Sequence, residues 1–209
     1  MLWRETPPLE LEGLWQDVEP AGSRRLLFAG LELFATRGYE ATTTREIAAG
    51  AGMSPGSLYV HYPSKQELLY EISFTGHLMV LDEVEQALEG ATDPIDGVRR
   101  FVFAFTSWHA RRHTLARVIQ YELHSLDEDQ FAKVRALRRR FEDLIGSLIR
   151  RGTDSGDFSV TNLEVAAVAI LSLGIDVARW YTPRSGSAAD LGAAYSEIAL
   201  RILGATQSG

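Results

Sequence analysis

The chain contains no cysteine. That excludes disulfides, thiol nucleophiles and cysteine-based zinc sites, and it fits a reducing cytosol. There is no long hydrophobic run. The longest, residues 165–171, reaches Ile175 only through Ser172 and Gly174, whereas a bilayer-spanning helix requires roughly 20 apolar residues. The start, Met1-Leu2-Trp3-Arg4-Glu5, lacks the basic and apolar regions of a secretory signal, so a cytoplasmic protein without a membrane partner is expected. No segment alternates with period two, which argues against strands, and there are neither internal repeats nor low-complexity tracts. Positive charge is scarce as well: 21 Lys and Arg stand against 28 Asp and Glu, for a net charge of −7.

The distribution of charge tells more than its total. Residues 1–22 hold Arg4 against five acids, and the chain beyond residue 65 is also acidic. Residues 23–65 instead hold Arg24, Arg25, Arg37, Arg45 and Lys65 against Glu32, Glu40 and Glu46. A local positive face, not the overall balance, is the electrostatic footprint of a nucleic-acid binder. The length of 209 residues suits one domain or two small ones, and 45% hydrophobic content is enough to bury a core.

The positive segment also has the most specific pattern. Thr43 is placed to N-cap a helix, with Glu46 three residues on to complete a capping box. Ile47 and Ala48 give that helix an apolar side, and Gly50 and Gly52 end it. Ser54 and Pro55 open a second short helix, in which Leu58 points inward, and Pro63 closes it. Ser64 and Glu67 form a further capping box. Two short helices joined by a small-residue turn make a helix-turn-helix, whose second helix fits a DNA major groove.

The run from Phe34 to Leu69, FATRGYEATTTREIAAGAGMSPGSLYVHYPSKQELL, resembles the N-terminal domain of the TetR family of transcriptional repressors. The resemblance implies a three-helix DNA-binding domain at residues 21–81, with the helix-turn-helix at 44–63. Residues 82–206 are then a helical domain for ligand binding and dimerisation. Residues 1–20, with three prolines and several acids, read as a flexible extension with one sticky apolar patch that either stays loose or packs on its own domain. Residues expected at DNA are Thr43, Thr44, Arg45, Ser54, Gly56, Ser57, Tyr59, His61, Tyr62 and Lys65. Hydroxyl, imidazole and ammonium groups suit phosphates, and the small residues let the backbone approach base edges. The blander reading has Tyr59 and Tyr62 packing the domain and Arg45 as a solvated charge; for Leu58 the packing role is the expected one.

Elsewhere the pattern is helical throughout. Ser23 is read as the cap of a first helix whose Leu27, Leu31 and Phe34 share a face. A long helix follows Ser64, and five more are read from about 93–112, 114–124, 127–151, 161–181 and 187–203, their starts capped by Asp93, Asp127 and the box Thr161-Asn162-Leu163-Glu164 where such signals occur. The expected fold is all-α with about nine helices.

Two motifs compete and lose. Gly52-Met53-Ser54-Pro55-Gly56 matches the nucleophile elbow of hydrolases, but helices flank both sides and Pro55 lacks the N–H an oxyanion hole needs. His109 and His113 have metal-ligand spacing without an accompanying carboxylate cluster; His124 lies nearby in sequence. Neither an enzyme nor a metal or cofactor is expected.

Aromatic residues crowd the second half. The family's second domain holds an apolar cavity with a few polar anchors, which implies a ligand set of Phe101, Phe105, Trp108, His109, Arg117, Tyr121, Asp176, Arg179 and Trp180. The stretch from Arg179 to Arg184 is similar to one in regulators of steroid and fatty-acid breakdown that sense acyl-CoA thioesters. The resemblance thus implies a repressor that binds a double-stranded, palindromic operator as a homodimer through its last two helices, with Val168, Leu171, Leu191, Tyr195 and Ile198 at the seam. A small hydrophobic effector, with acyl-CoA a candidate, would release it. The alternative is a helical small-molecule carrier or enzyme with no DNA role; the helix-turn-helix discriminates against it.

Overall fold

The computed structural model describes residues 11–205, and the regular elements among them are all helical. Nine α-helices follow in order: α1 (Ala21–Arg37), α2 (Thr44–Gly50), α3 (Ser57–His61), α4 (Lys65–Leu88), α5 (Pro94–Arg111), α6 (His113–Tyr121), α7 (Glu128–Ser155), α8 (Leu163–Trp180) and α9 (Ala188–Ile202). The all-α expectation holds.

Most helix starts are set by the local chemistry read from the sequence. The Thr43–Glu46 capping box is present in both directions. Asp93 accepts from the Asp96 N–H at 2.8 Å, Asp127 from the Gln130 N–H at 2.8 Å, and Ser187 from the Asp190 N–H at 3.1 Å. Each satisfies a donor that the first turn leaves orphaned.

Four starts and stops differ. Helix α1 begins at Ala21, so Ser23 is inside it and buried. Helix α3 begins at Ser57, not beside Ser54: the Ser54 and Ser57 hydroxyls bond each other at 2.7 Å, and the Ser57 N–H donates to the Ser54 carbonyl within a turn. Asn162, not Thr161, caps α8 by accepting from the Val165 N–H at 3.1 Å. Helix α7 passes through Gly152 to Ser155. That glycine serves a close approach, since a Cβ there would lie 2.2 Å from the Phe158 ring.

The chain divides into two compact units. One holds the described chain through His77 together with Thr114–Val134; the other holds Leu78–His113 and the described chain from Arg135 on. The first break precedes the boundary read after residue 81, and α6 and the start of α7 cluster with the N-terminal unit. Gly76 shows how α6 is seated there: a Cβ on it would sit 3.3 Å from the Ile119 side chain, so this glycine admits α6 against α4.

In the first unit the core is built from Leu26, Leu27, Leu31 and Phe34 of α1, Ile47 and Ala48 of α2, Leu58 of α3, and Leu68, Leu69 and Ile72 of α4, each at most 2% exposed. Residues 1–10 of the predicted extension lie outside the described residues, and its apolar patch packs on the first unit. Leu11, Leu14 and Trp15 are buried. The Trp15 indole N–H donates to Thr75 Oγ1 of α4 at 2.8 Å, and its ring meets Phe28 of α1 edge-on at 5.1 Å. Trp15 holds a positive φ of 55°, a left-handed backbone that disfavours side-chain-bearing residues; indole burial and its hydrogen bond offset this.

In the second unit α5 lies along α9 and against α8. Glycines set the spacing: a Cβ at Gly192 would fall 2.9 Å from the Phe103 carbonyl oxygen, and one at Gly174 would fall 2.8 Å from the Phe105 ring. The Ser196 hydroxyl donates to the Arg99 carbonyl at 3.0 Å and the Ser107 hydroxyl to the Ala188 carbonyl at 3.1 Å.

The packing of the N-terminal segment gives a direct test. Trp15→Ala should destabilise the first unit by about 3 kcal/mol, as large aromatic truncations do, because the alanine Cβ keeps the left-handed backbone strained while the indole packing is lost. Thr75→Val leaves the indole N–H buried without an acceptor and should cost about 1 kcal/mol. Urea unfolding followed by circular dichroism measures both; a neutral Trp15→Ala would contradict the role assigned to the segment.

Candidate nucleic-acid interface

Helices α2 and α3 and the turn between them divide their side chains sharply into an inner and an outer set. Inside, Leu58 is fully buried and Tyr62 is 8% exposed. The Tyr62 hydroxyl donates to the Ser23 carbonyl of α1 at 3.3 Å, and burial, with Glu71 adding, pushes its pKa up to about 12. Tyr62 therefore packs the domain, as in the blander of the two sequence readings.

His61 also faces α1. Its Nδ1 pairs with the Ser23 hydroxyl at 3.0 Å, and a Cβ at Gly22 would lie 2.7 Å from its Nε2. Both ring nitrogens are thus turned to α1. Lys65 is committed in the same way: its ammonium donates to the Tyr39 and Thr42 carbonyls, each at 2.8 Å, and lies 4.0 Å above the Tyr39 ring. It clamps the segment between α1 and α2 through two carbonyl acceptors and a π-face. Sequence reasoning assigned both residues to DNA because their partners lie 23 to 38 positions away.

Thr43 spends its hydroxyl on the cap, accepting from the Glu46 N–H at 3.2 Å and donating to the Glu46 carboxylate at 2.8 Å. The Thr43 backbone N–H, which donates to Glu46 Oε2 at 2.9 Å, then the Thr43 hydroxyl, and after them the charge of Arg37 at 2.7 Å hold the Glu46 carboxyl below its ordinary pKa. The salt bridge ties the end of α1 to α2.

The outer set remains. Arg45, Ser54, Gly56 and Tyr59 are exposed, and Thr44 and Ser57 are half-buried. The Tyr59 and Thr44 hydroxyls lie 3.4 Å apart, bridging α3 to the first turn of α2. A Cβ at Gly56 would meet nothing within 4 Å, so this stretch of backbone is open to an approaching surface. Among the described residues Arg45 has no ion-pair partner. Val60, which the sequence reading passed over, is 81% exposed.

The expected ligand residues fall into both units. Arg117 and Tyr121 belong to the first. Tyr121 is 53% exposed, and Arg117 Nε is buried without an acceptor among the described residues. The others belong to the second unit. Phe101 and Phe105 stack at 5.7 Å, Phe105 meets Phe141 at 5.4 Å and His109 at 4.3 Å, and Trp108 meets His109 edge-on at 5.2 Å. Asp176 and Arg179 pair with each other through two hydrogen bonds of 2.7 and 3.0 Å at the surface, and Trp180 is 38% exposed. Asp176 is thus drawn on by its own neighbour.

His109 is buried, and burial lowers its pKa to about 4, with the nearby Arg138 charge acting in the same direction. Its Nδ1 lies 2.7 Å from the Phe105 carbonyl. A carbonyl only accepts, so Nδ1 holds the proton and Nε2 presents a lone pair. As pH falls from about 6.5 towards 4, the unfolded chain takes up a proton that folded His109 refuses, and stability declines. His113 engages the Ala110 carbonyl at 3.1 Å and the Tyr181 ring edge-on, and His124 engages the Tyr121 carbonyl at 2.9 Å.

Similarity to known proteins covers both halves. A family model described as "Bacterial regulatory proteins, tetR family" matches residues 26–72, and one described as "Tetracyclin repressor-like, C-terminal domain" matches residues 91–203. The chain is 32% identical over 199 residues to the HTH-type transcriptional repressor KstR2 of Mycolicibacterium smegmatis, spanning 91% of this chain and 94% of that one. It is 31% identical over 164 residues to the HTH-type transcriptional activator FasR of the same organism, spanning 78% and 74%. A crystal structure of a tetR-family regulatory protein from Rhodococcus RHA1 superposes with a TM-score of 0.86 at 41% identity, over 90% of this chain and 100% of that one. Helix-turn-helix geometry, an all-helical second unit and matches along nearly the whole length agree: this chain is a transcriptional regulator of the TetR family.

Proposed function

We propose that the chain is a repressor that grips a palindromic double-stranded operator as a homodimer and is released by a bulky apolar effector such as an acyl-CoA thioester. The observation that carries the DNA half is the outward face of α2 and α3, where Arg45, Ser54, Gly56, Ser57 and Tyr59 are exposed or half-buried around a helix anchored from behind. One such helix covers only a few base pairs, so two copies and a two-fold operator are expected. Repression follows the KstR2 relative; the FasR relative is an activator, and a reporter assay of the flanking gene separates the two.

The dimer seam is assigned to α8 and α9. Val165, Val168, Ile198 and Ile202 are 40–63% exposed on these helices, an apolar set that a partner copy would cover. Leu171 is 8% exposed within the unit's own core and drops out of the seam. The effector reading draws on the aromatic cluster around Phe105 and Trp108 in the second unit, with His109 Nε2 as a buried acceptor. Helix α4 supplies residues to both units, which makes it the element through which a ligand can act on the reading helix. A ligand shifts the equilibrium only by its differential affinity for the two states.

Three measurements follow. Arg45→Ala should lower the slope of log affinity against log salt by about one, whereas Lys65→Met should lower thermal stability and leave that slope intact; an unchanged slope for Arg45→Ala removes Arg45 from the interface. Ile198→Asp should sediment as a monomer with its helical signal retained, and a persistent dimer would move the seam elsewhere. Calorimetric titration with a series of acyl-CoA thioesters, with and without operator, should show ligand affinity reduced by DNA by roughly 5- to 150-fold; equal affinities in both titrations would remove the switch.

A further inference from the structure

Val60 is the most exposed of the large apolar side chains described, at 81%. It sits on α3 between Tyr59, whose hydroxyl is directed to Thr44, and His61, whose ring is directed to Ser23 and Gly22. Nothing in the folding of the domain calls for it. The core positions here are Leu58 of α3 and Tyr62 just after it, and a β-branched residue is a poorer helix former than alanine. What Val60 does offer is two methyl groups held by a stiff side chain, which loses little rotamer freedom on contact. The major groove has one apolar feature among its donors and acceptors, the 5-methyl group of thymine. Of the other outer residues, Arg45, Ser54, Ser57 and Tyr59 are polar, Gly56 has no side chain, and Thr44 is half-buried with its hydroxyl against Tyr59, so Val60 is the wholly aliphatic, fully presented member of the set and the one matched to that methyl.

We propose that Val60 is a specificity-determining residue that reads a thymine by packing its methyl groups against the thymine 5-methyl, once in each half-site. The inference rests on the DNA-binding reading above and adds to it the base and the atom recognised.

The test uses the full chain and a duplex selected by it from a random pool. Each thymine is replaced, in symmetric pairs, by deoxyuridine, which lacks only the methyl. Wild type should lose about fourfold in affinity per half-site at one symmetric position, the worth of one buried methyl-sized group. Val60→Ala should bind thymine and deoxyuridine equally at that position while matching wild type at the others. Its melting temperature should be unchanged or slightly higher, alanine being the better helix former. If the selected duplex binds wild type but the thymine-to-deoxyuridine ratio is the same in both proteins at every position, the proposal is overturned and the DNA-binding reading stands. If no duplex is selected, both fall.

Discussion

The burial of Leu58 and Tyr62 is what permits α3 to exist. A helix of five residues has almost no stability of its own, since isolated helices shorter than about 12 residues are marginal in water. It persists because its inner side chains are inserted into the first unit and because Ser23, on α1, engages both His61 and Tyr62, one through its hydroxyl and the other through its carbonyl. The Lys65 ammonium then fixes the segment leading into α2 by holding two carbonyls at once. The outer residues of α2 and α3 take their positions from these buried contacts, so the geometry of the presented face is a property of the core behind it.

The second unit uses small residues for an equivalent purpose. Gly174 and Gly192 bring α8 and α9 to within contact of the α5 backbone and its aromatic rings, and serine hydroxyls close the remaining carbonyls. Aromatic bulk is then available for the interior around Phe105, while aliphatic side chains of α8 and α9 are left outside. A neutral His109 fits this interior because its one proton is bonded to a carbonyl of its own helix, which satisfies the donor without introducing a charge.

Local chemistry was legible in the sequence and long-range chemistry was not. The caps at Thr43, Asp93 and Asp127 involve partners three residues away, so reading a few positions suffices to find them. Ser23 and Gly152 presented the same local signals, a cap and a stop, but their actual partners are His61 and Phe158, reached only through the fold. The same limit shaped the candidate site. Residue types announced a DNA-reading segment, yet nothing in its spacing shows that His61 and Lys65 are consumed by α1 and by the Tyr39–Thr42 carbonyls. Val60 failed in the opposite sense, because an apolar residue in a short helix reads as core until its exposure is known. The N-terminal segment shows the same limit: its apolar patch is visible in the sequence, but the acceptor of Trp15, 60 residues away on α4, is not.

The sorting of α3 into inner and outer residues also separates two properties that usually trade against each other. Tyr59 and Val60 are 59% and 81% exposed, and substitutions at such positions usually change stability by about 0.5 kcal/mol or less. The scaffold is therefore indifferent to what those two positions display. Under the DNA-reading role proposed for them, target preference can be rewritten there, in a library of a few codons, without first engineering a more stable protein to absorb the changes, whereas the same freedom at Leu58 or Tyr62 would remove the packing that holds α3.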